Sequence, residues 1–209
     1  MSENGAVIWF TGVAATGKST IAVEVEQKLR DMGLRVENLD ADEVRQAISP
    51  NLGFSPEARD ENTRRLAWMC KILSRNGVFT LVAAESPMRF MRDRAREWSP
   101  KFVEVWATAP LEILKERDPK GLYARGERGE ISDIAGWHLP YEEPLNAEVV
   151  CKTNEATIDE CVGLVMRKLV ELGYVPNCGC GCECGCAEGE YTDEEQAQVE
   201  GRLEDLGYA

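Results

Sequence analysis

An α/β fold, with a parallel sheet covered by helices on both faces, is predicted by three observations. Short apolar runs of strand length alternate with amphipathic stretches of helical period from residue 6 to residue 172. The first apolar run enters a loop, Gly12-Val13-Ala14-Ala15-Thr16-Gly17-Lys18-Ser19, and an amphipathic segment from Ile21 to Leu29 leaves it. The remaining clusters of polar and charged residues follow the strands, where an open parallel sheet binds its ligands at the carboxyl ends of the strands.

The elements follow in order. Ala6 to Thr11 is an apolar strand, and a helix runs from Lys18 to about Met32. Leu34 to Leu39 is the second strand, ended by a polar break at Asp40-Ala41-Asp42. Pro56 opens a long helix that continues to about Arg75, where Gly77 breaks it; proline is tolerated in a first turn because its missing N–H has no partner there anyway. Val78 to Ala84 has no polar face and reads as a fully buried strand. A helix over Met88 to Trp98, a strand over Phe102 to Ala107 and a short helix from Pro110 to near Arg117 come next. Asp118 to Pro144 is rich in glycine, proline and charge, which predicts a loop or lid. Val149 to Lys152 and a helix from Thr157 to Leu172 complete the domain.

Residues 1–175 are therefore expected to form one domain, with its lid at about 118–144, and residues 176–209 an appendage. The appendage differs in composition. Residues 183–209 carry nine Asp and Glu against one Arg, so −8 of the formal charge of −13 sits there. What precedes is mildly acidic, which argues against coating nucleic acid and leaves room for a local basic pocket around a small anion. No apolar run approaches the roughly 20 residues of a membrane span, and the first residues lack a charged segment followed by an apolar signal core. A cytoplasmic protein with no membrane partner is expected. Cys70, Cys151 and Cys161 lie in apolar or amphipathic segments and read as small core residues. Cys178, Cys180, Cys182, Cys184 and Cys186 form an unbroken C-x-C series, a thiol cluster suited to a soft or borderline metal. The stretch Thr192 to Leu206 that follows has the capping pattern Thr192-Asp193-Glu194-Glu195 of a short helix.

The first loop carries the chemistry. Its pattern is G-x-x-x-x-G-K-[ST], a P-loop, in the strand-loop-helix setting that the motif requires. Gly12 and Gly17 let the backbone turn and aim successive N–H groups at phosphate oxygens, at the positive end of the following helix. Lys18 can reach the β- and γ-phosphates, and Ser19 offers Mg²⁺ a hard oxygen ligand. ATP and Mg²⁺ are the expected cofactors, bound by Gly12, Ala14, Ala15, Thr16, Gly17, Lys18, Ser19 and Thr20. Asp42 follows the second strand with Arg45 one helical turn on; its carboxylate can orient an acceptor hydroxyl, or simply cap a helix. Arg59, Asn62 and Arg65 recur at helical spacing and share one face, which is either a binding face or a solvated one. Glu85-Ser86-Pro87 follows the third strand, and Arg117-Asp118-Pro119-Lys120-Gly121-Leu122-Tyr123 opens the lid.

These motifs in this order resemble the adenylylsulfate kinases, from residue 5 to about 173. The resemblance rests on the strand and P-loop, Asp40-Ala41-Asp42-Glu43-Val44-Arg45, the run from Gly53-Phe54-Ser55 to Arg64-Arg65, Ser86-Pro87, Arg117 to Tyr123, and Pro140-Tyr141-Glu142-Glu143-Pro144. It implies a three-layer, P-loop kinase-like fold with a mobile lid. The activity it implies is transfer of a phosphoryl group from ATP to the 3′-hydroxyl of adenosine 5′-phosphosulfate. It assigns catalysis to Lys18, Asp42 and Ser86, and ATP contact to Arg117. The substrate set it implies is Asp42, Arg45, Phe54 as an adenine-stacking face, Arg59, Asn62, Glu85, Ser86, Lys120 and Ile134, with a small nucleotide as partner and a homodimer as assembly.

Departures from the family pattern bear on the acceptor. The glycine between the two aspartates is Ala41, and the family's S-G-A in the P-loop is Ala14-Ala15-Thr16. An apolar residue before the S-P serine is Glu85, a lid lysine is Ser132, and a second stacking aromatic is Ile134. These changes weaken a pocket for a phosphosulfate and keep a second acceptor open, another nucleotide conjugate such as a nucleoside diphosphoramidate. A third reading makes the chain a nucleotide-binding, metal-handling regulator whose thiol tail is the active part, against which stand the intact Lys18, Ser19 and Asp42.

Overall fold

The computed structural model describes residues 5–176. The cysteine series at 178–186, read as a soft-metal site, and the short helix expected over 192–206 lie outside the described residues.

Five strands form one all-parallel sheet: β1 (Val7–Thr11), β2 (Val36–Asp40), β3 (Phe79–Ala83), β4 (Phe102–Thr108) and β5 (Val149–Lys152), in the order β2-β3-β1-β4-β5. Helices α1 (Lys18–Asp31) and α7 (Ile158–Glu171) cover one face. Ile8, Phe10, Leu81, Val103 and Val105 point into the core on that side, against Ile21, Val25, Val162 and Val165. Helices α3 (Pro56–Arg75) and α4 (Arg89–Trp98) cover the other. There Val7, Trp9 and Val82 meet Leu66, Ala67, Cys70 and Ala95, with Trp9 stacked on Phe102 at 6.1 Å between ring centroids. Cover on both faces is why β1 and β3 are buried at every residue and read as unbroken apolar runs.

The predicted strands and long helices are present with ends moved by a residue or two. α3 starts at Pro56, capped by Ser55, and α7 has a full capping box of Thr157 with Glu160. α5 spans Leu111–Arg117. Two short helices depart from expectation. α2 (Ala41–Ile48) starts directly after β2, so the polar break is a strand-to-helix junction. Its cap is Asp40, whose Oδ1 accepts from the Asp42 N–H at 2.9 Å, and not Asp42, the residue for which capping is the competing sequence reading. α6 (Leu122–Glu127) lies within the segment expected to be loop; Gly121, at φ 64°, leads into it, and its Tyr123 is buried. Among the described residues no helix is long and apolar enough to cross a membrane.

Candidate active site

The P-loop owes its shape to contacts behind it as well as to its glycines. Gly12 stands at φ 147°, and a Cβ built on it would lie 2.2 Å from the carbonyl oxygen of Ala107 on the neighbouring β4, so only glycine fits. Ala15 takes the left-handed conformation at φ 63°, the position of the family's glycine, at a cost on the order of 1 kcal/mol. Gly17 enters α1 at φ 81° without any side-chain cap, which leaves the first turn's N–H groups facing the loop. Lys18 is buried and its Nζ donates to the Val13 carbonyl at 2.7 Å, with Thr16 Oγ1 at 3.4 Å. Burial lowers its pKa, opposed by the negative charges of Glu85, Asp40 and Asp42. Ser19 Oγ donates to Asp40 Oδ2 at 2.7 Å. Asp40 thus serves two elements at once, capping α2 and holding the P-loop serine, a role the sequence set does not contain.

A cavity of about 1370 Å³ opens from Ala14, Ala15, Lys18 and Ser19 toward α2, α3 and the lid. Asp42, Arg45, Phe54, Arg59, Asn62, Glu85, Ser86, Lys120 and Ile134 all line it, so the structure brings the whole substrate set to one space. Gly12, Thr16, Gly17 and Thr20 are not part of that lining. Arg117 is also apart from it and binds Thr153, through Oγ1 at 2.9 Å and the carbonyl at 2.6 Å.

Charge in this cavity is concentrated and internally paired. The Arg45 and Arg59 guanidiniums lie 4.9 and 5.7 Å from the centroid of Phe54, a ring that is 54% exposed. Burial lowers the pKa of Arg45, and the charge on Arg59 lowers it further, as expected where two cations share a pocket. Arg59 donates three ways: Nε to the Phe54 carbonyl at 2.9 Å, one terminal nitrogen to Glu85 Oε2 at 2.5 Å, the other to the lid carbonyl of Asp133 at 2.8 Å. Asp42 Oδ2 accepts from lid Lys120 at 2.8 Å. Asn62, only 3% exposed, has an Oδ1 with no partner among the described residues.

Ser86 is held on three sides. It sits at φ 43°, its Oγ accepts from the Trp9 indole at 3.2 Å, and its carbonyl accepts from Arg92 at 2.6 Å. The same buried guanidinium reaches Glu104 on β4 at 2.6 Å and the Glu142 carbonyl at 2.6 Å, tying the end of the lid to the Ser86 turn. Thr11 Oγ1 donates to the Glu85 carbonyl at 2.7 Å and lies 3.0 Å from the Tyr141 hydroxyl, whose pKa burial pushes up to about 12. Trp9, Thr11 and Arg92 look like core and surface residues in sequence, and only folding reveals their part in the site. Tyr141 and Glu142 carried a signal in the P-Y-E-x-P motif.

The lid rests on the P-loop through apolar contact. Leu114, Tyr123 and Ile134 pack with Val13, Ala14 and Ala15, and the Tyr123 hydroxyl donates to the Ala14 carbonyl at 3.1 Å. His138, the one histidine of the chain, stacks on Trp137 at 4.2 Å. Among the described residues no group of three or more His, Cys, Asp or Glu is arranged to hold a metal ion by itself.

The profile of the adenylylsulphate kinase family matches residues 4–152. The chain is 48% identical over 172 residues to a probable adenylyl-sulfate kinase of Pyrococcus abyssi, a match covering 82% of this chain and 99% of the relative. It is 47% identical over 175 residues to an adenylyl-sulfate kinase of Gloeothece citriformis, covering 84% of this chain and 99% of the relative. Among solved structures it is similar to the Mycobacterium tuberculosis APS kinase in complex with AMPPNP and APS, at a TM-score of 0.76 and 38% identity over 79% of this chain and 98% of the other.

Proposed function

The chain belongs to the adenylylsulphate kinase family, and on that premise we propose that it transfers the γ-phosphoryl group of ATP to the 3′-hydroxyl of adenosine 5′-phosphosulfate, giving 3′-phosphoadenosine 5′-phosphosulfate. One observation carries the reading. A single cavity joins the P-loop lysine and serine to a pocket with an exposed aromatic ring, two guanidiniums and a buried amide oxygen awaiting a donor. Those are the needs of a nucleotide donor and of a nucleotide acceptor that carries anionic groups and hydroxyls.

Phosphoryl transfer asks a protein mainly for position and charge neutralisation. The N–H groups of the loop and the uncapped start of α1 cradle the donor phosphates, and Lys18, moving from the Val13 carbonyl, neutralises the transferring group. Phe54 stacks the acceptor's base, Arg45 and Arg59 hold its anionic oxygens, and Asn62 Oδ1 accepts from a hydroxyl. Asp42 orients the attacking 3′-hydroxyl. Lys120, paired with Asp42, is the lid's cation for the phosphate in transit. Ser86, fixed by Trp9 and Arg92, acts by position and hydrogen bonding. Ser19 and Asp40 fit Mg²⁺, since they place a hydroxyl and a carboxylate, both hard oxygen donors, together at the mouth of the loop. Bound there with the donor phosphates, the ion would offset their charge. Arg117, tied to the Thr153 loop, is assigned to the ATP side, and a homodimer remains the proposed assembly.

The direct experiment is an acceptor screen with labelled ATP. Adenosine 5′-phosphosulfate is expected to be phosphorylated at its 3′-position. Efficient turnover of a nucleoside diphosphoramidate with none of adenosine 5′-phosphosulfate would overturn the assignment. That second acceptor is kept in the screen because Glu85, Ser132 and Ile134 each remove a feature the family pattern offers a phosphosulfate.

A further inference from the structure

We propose that Glu85 is a specificity-determining residue, a built-in counter-ion to Arg59 that competes with an anionic acceptor for it. The inference rests on the function proposed above and concerns the acceptor side of the same cavity.

Glu85 ends the β3 turn with its carboxylate turned onto Arg59, at 2.5 Å. Both groups line the cavity, and neither is fully solvated: the side chains are 26% and 14% exposed. A charge-assisted hydrogen bond there is screened less than one on the surface. The remaining polar nitrogens of Arg59 are committed as well, one to Phe54 and one to Asp133 of the lid. Each of the three Arg59 nitrogens thus has a protein partner, which uses three of its five N–H donors. The neighbouring Arg45 donates to the Gly53 carbonyl, and Asp42 and Glu85 act on its charge without an ion pair among the described residues. An acceptor's anion drawn to Arg59 therefore competes with Glu85 for it, and the carboxylate stays nearby as a like charge.

The contact has a second consequence. Arg59 bridges Glu85 and the lid carbonyl of Asp133, so the same guanidinium that senses the acceptor also fastens the lid to α3. The pair holds the lid against the pocket without an acceptor, and an acceptor that captures Arg59 competes with this fastening too. Glu85 therefore sets the affinity for anionic acceptors by direct contact with Arg59, and reaches the P-loop only through its charge on Lys18.

The test is steady-state kinetics of the full chain and of Glu85→Gln, which keeps the shape and removes the charge. The expected result is a KM for adenosine 5′-phosphosulfate about tenfold lower in the variant, the scale of one charged hydrogen bond, and a KM for ATP that changes less than the KM for the acceptor. Glu85→Ala should show the same direction, and thermal melting of both variants checks that they are folded. A KM for the acceptor that is unchanged or higher in folded variants would show that Glu85 only positions Arg59, and the inference would fall. Absence of turnover with adenosine 5′-phosphosulfate in the wild type and both variants, with another acceptor phosphorylated, would instead overturn the proposed function. In that case the same KM comparison on the accepted compound tests the role of Glu85.

Discussion

Lys18 and the two aspartates after β2 show what single residues can and cannot announce. The P-loop lysine is legible from seven neighbours in line, because its chemistry depends on a local backbone path. The choice between Asp40 and Asp42 is not. Both stand at the start of α2 and both are acidic, and their difference arises from where β2 ends relative to α1: Asp40 meets Ser19 while Asp42 faces the cavity and Lys120. Replacing Lys18 by Ala should lower the phosphorylation rate at least about a hundredfold, the scale for removing a preorganised charge from a developing one. Asp42→Asn should lower it similarly with ATP binding retained, which equilibrium binding of a nucleotide analogue checks. Lys18 also makes nucleotide binding depend on pH. Burial lowers its pKa in the free protein, whereas bound polyphosphate favours the ammonium and raises it. Binding should then take up protons between those two values, and affinity should fall as pH rises through the lower one. Calorimetry at alkaline pH in two buffers of different ionisation enthalpy reads that uptake directly. Equal heats in the two buffers would mean that Lys18 stays charged in the free protein across that range.

Elements were legible wherever a hydrophobic period repeats several times. The buried strands and α1, α3 and α7 fall where their patterns place them, because burial on both faces or on one stripe leaves a long signal. α2 and α6 have eight and six residues, too few turns for a period to stand out, and unlike the seven-residue α5 neither has a proline directly before it to mark its start. The lid shows the limit most clearly. In sequence Ile134 is a missing aromatic face; in the fold it is 5% exposed and wedged with Leu114 and Tyr123 against the P-loop. Enlarging it therefore works against packing: Ile134→Phe should destabilise by about 1–3 kcal/mol, read as a lower unfolding midpoint. Ser132 is exposed on the same segment, beside the Asp133 that binds Arg59. Ser132→Lys should lower the KM for adenosine 5′-phosphosulfate several-fold without that loss, and an unchanged KM would remove residue 132 from the acceptor site.

Across the whole molecule, the sheet order brings the ends of β1, β2 and β3 side by side, so residues far apart in sequence reach one cavity. That convergence was readable only as motifs in order; the distances between them were not. The relatives named above are covered almost completely by 82–84% of this chain. Truncation after Val175 should leave phosphorylation near the full-length rate. Metal analysis of anaerobically purified full-length protein, compared with the truncated form, tests whether the five thiols bind zinc or copper; equal metal content in both would remove that reading. Asn62 places a conflict between durability and activity in the wall of the cavity. A buried amide oxygen without a donor among the described residues penalises the fold by about 1–3 kcal/mol, and a ligand's hydroxyl lifts that penalty only while it is bound. Leucine has nearly the same bulk and no such need. Asn62→Leu should accordingly melt at a higher temperature than the parent while binding the acceptor less tightly, so selection for heat resistance alone would drive this position away from the residue that catalysis keeps.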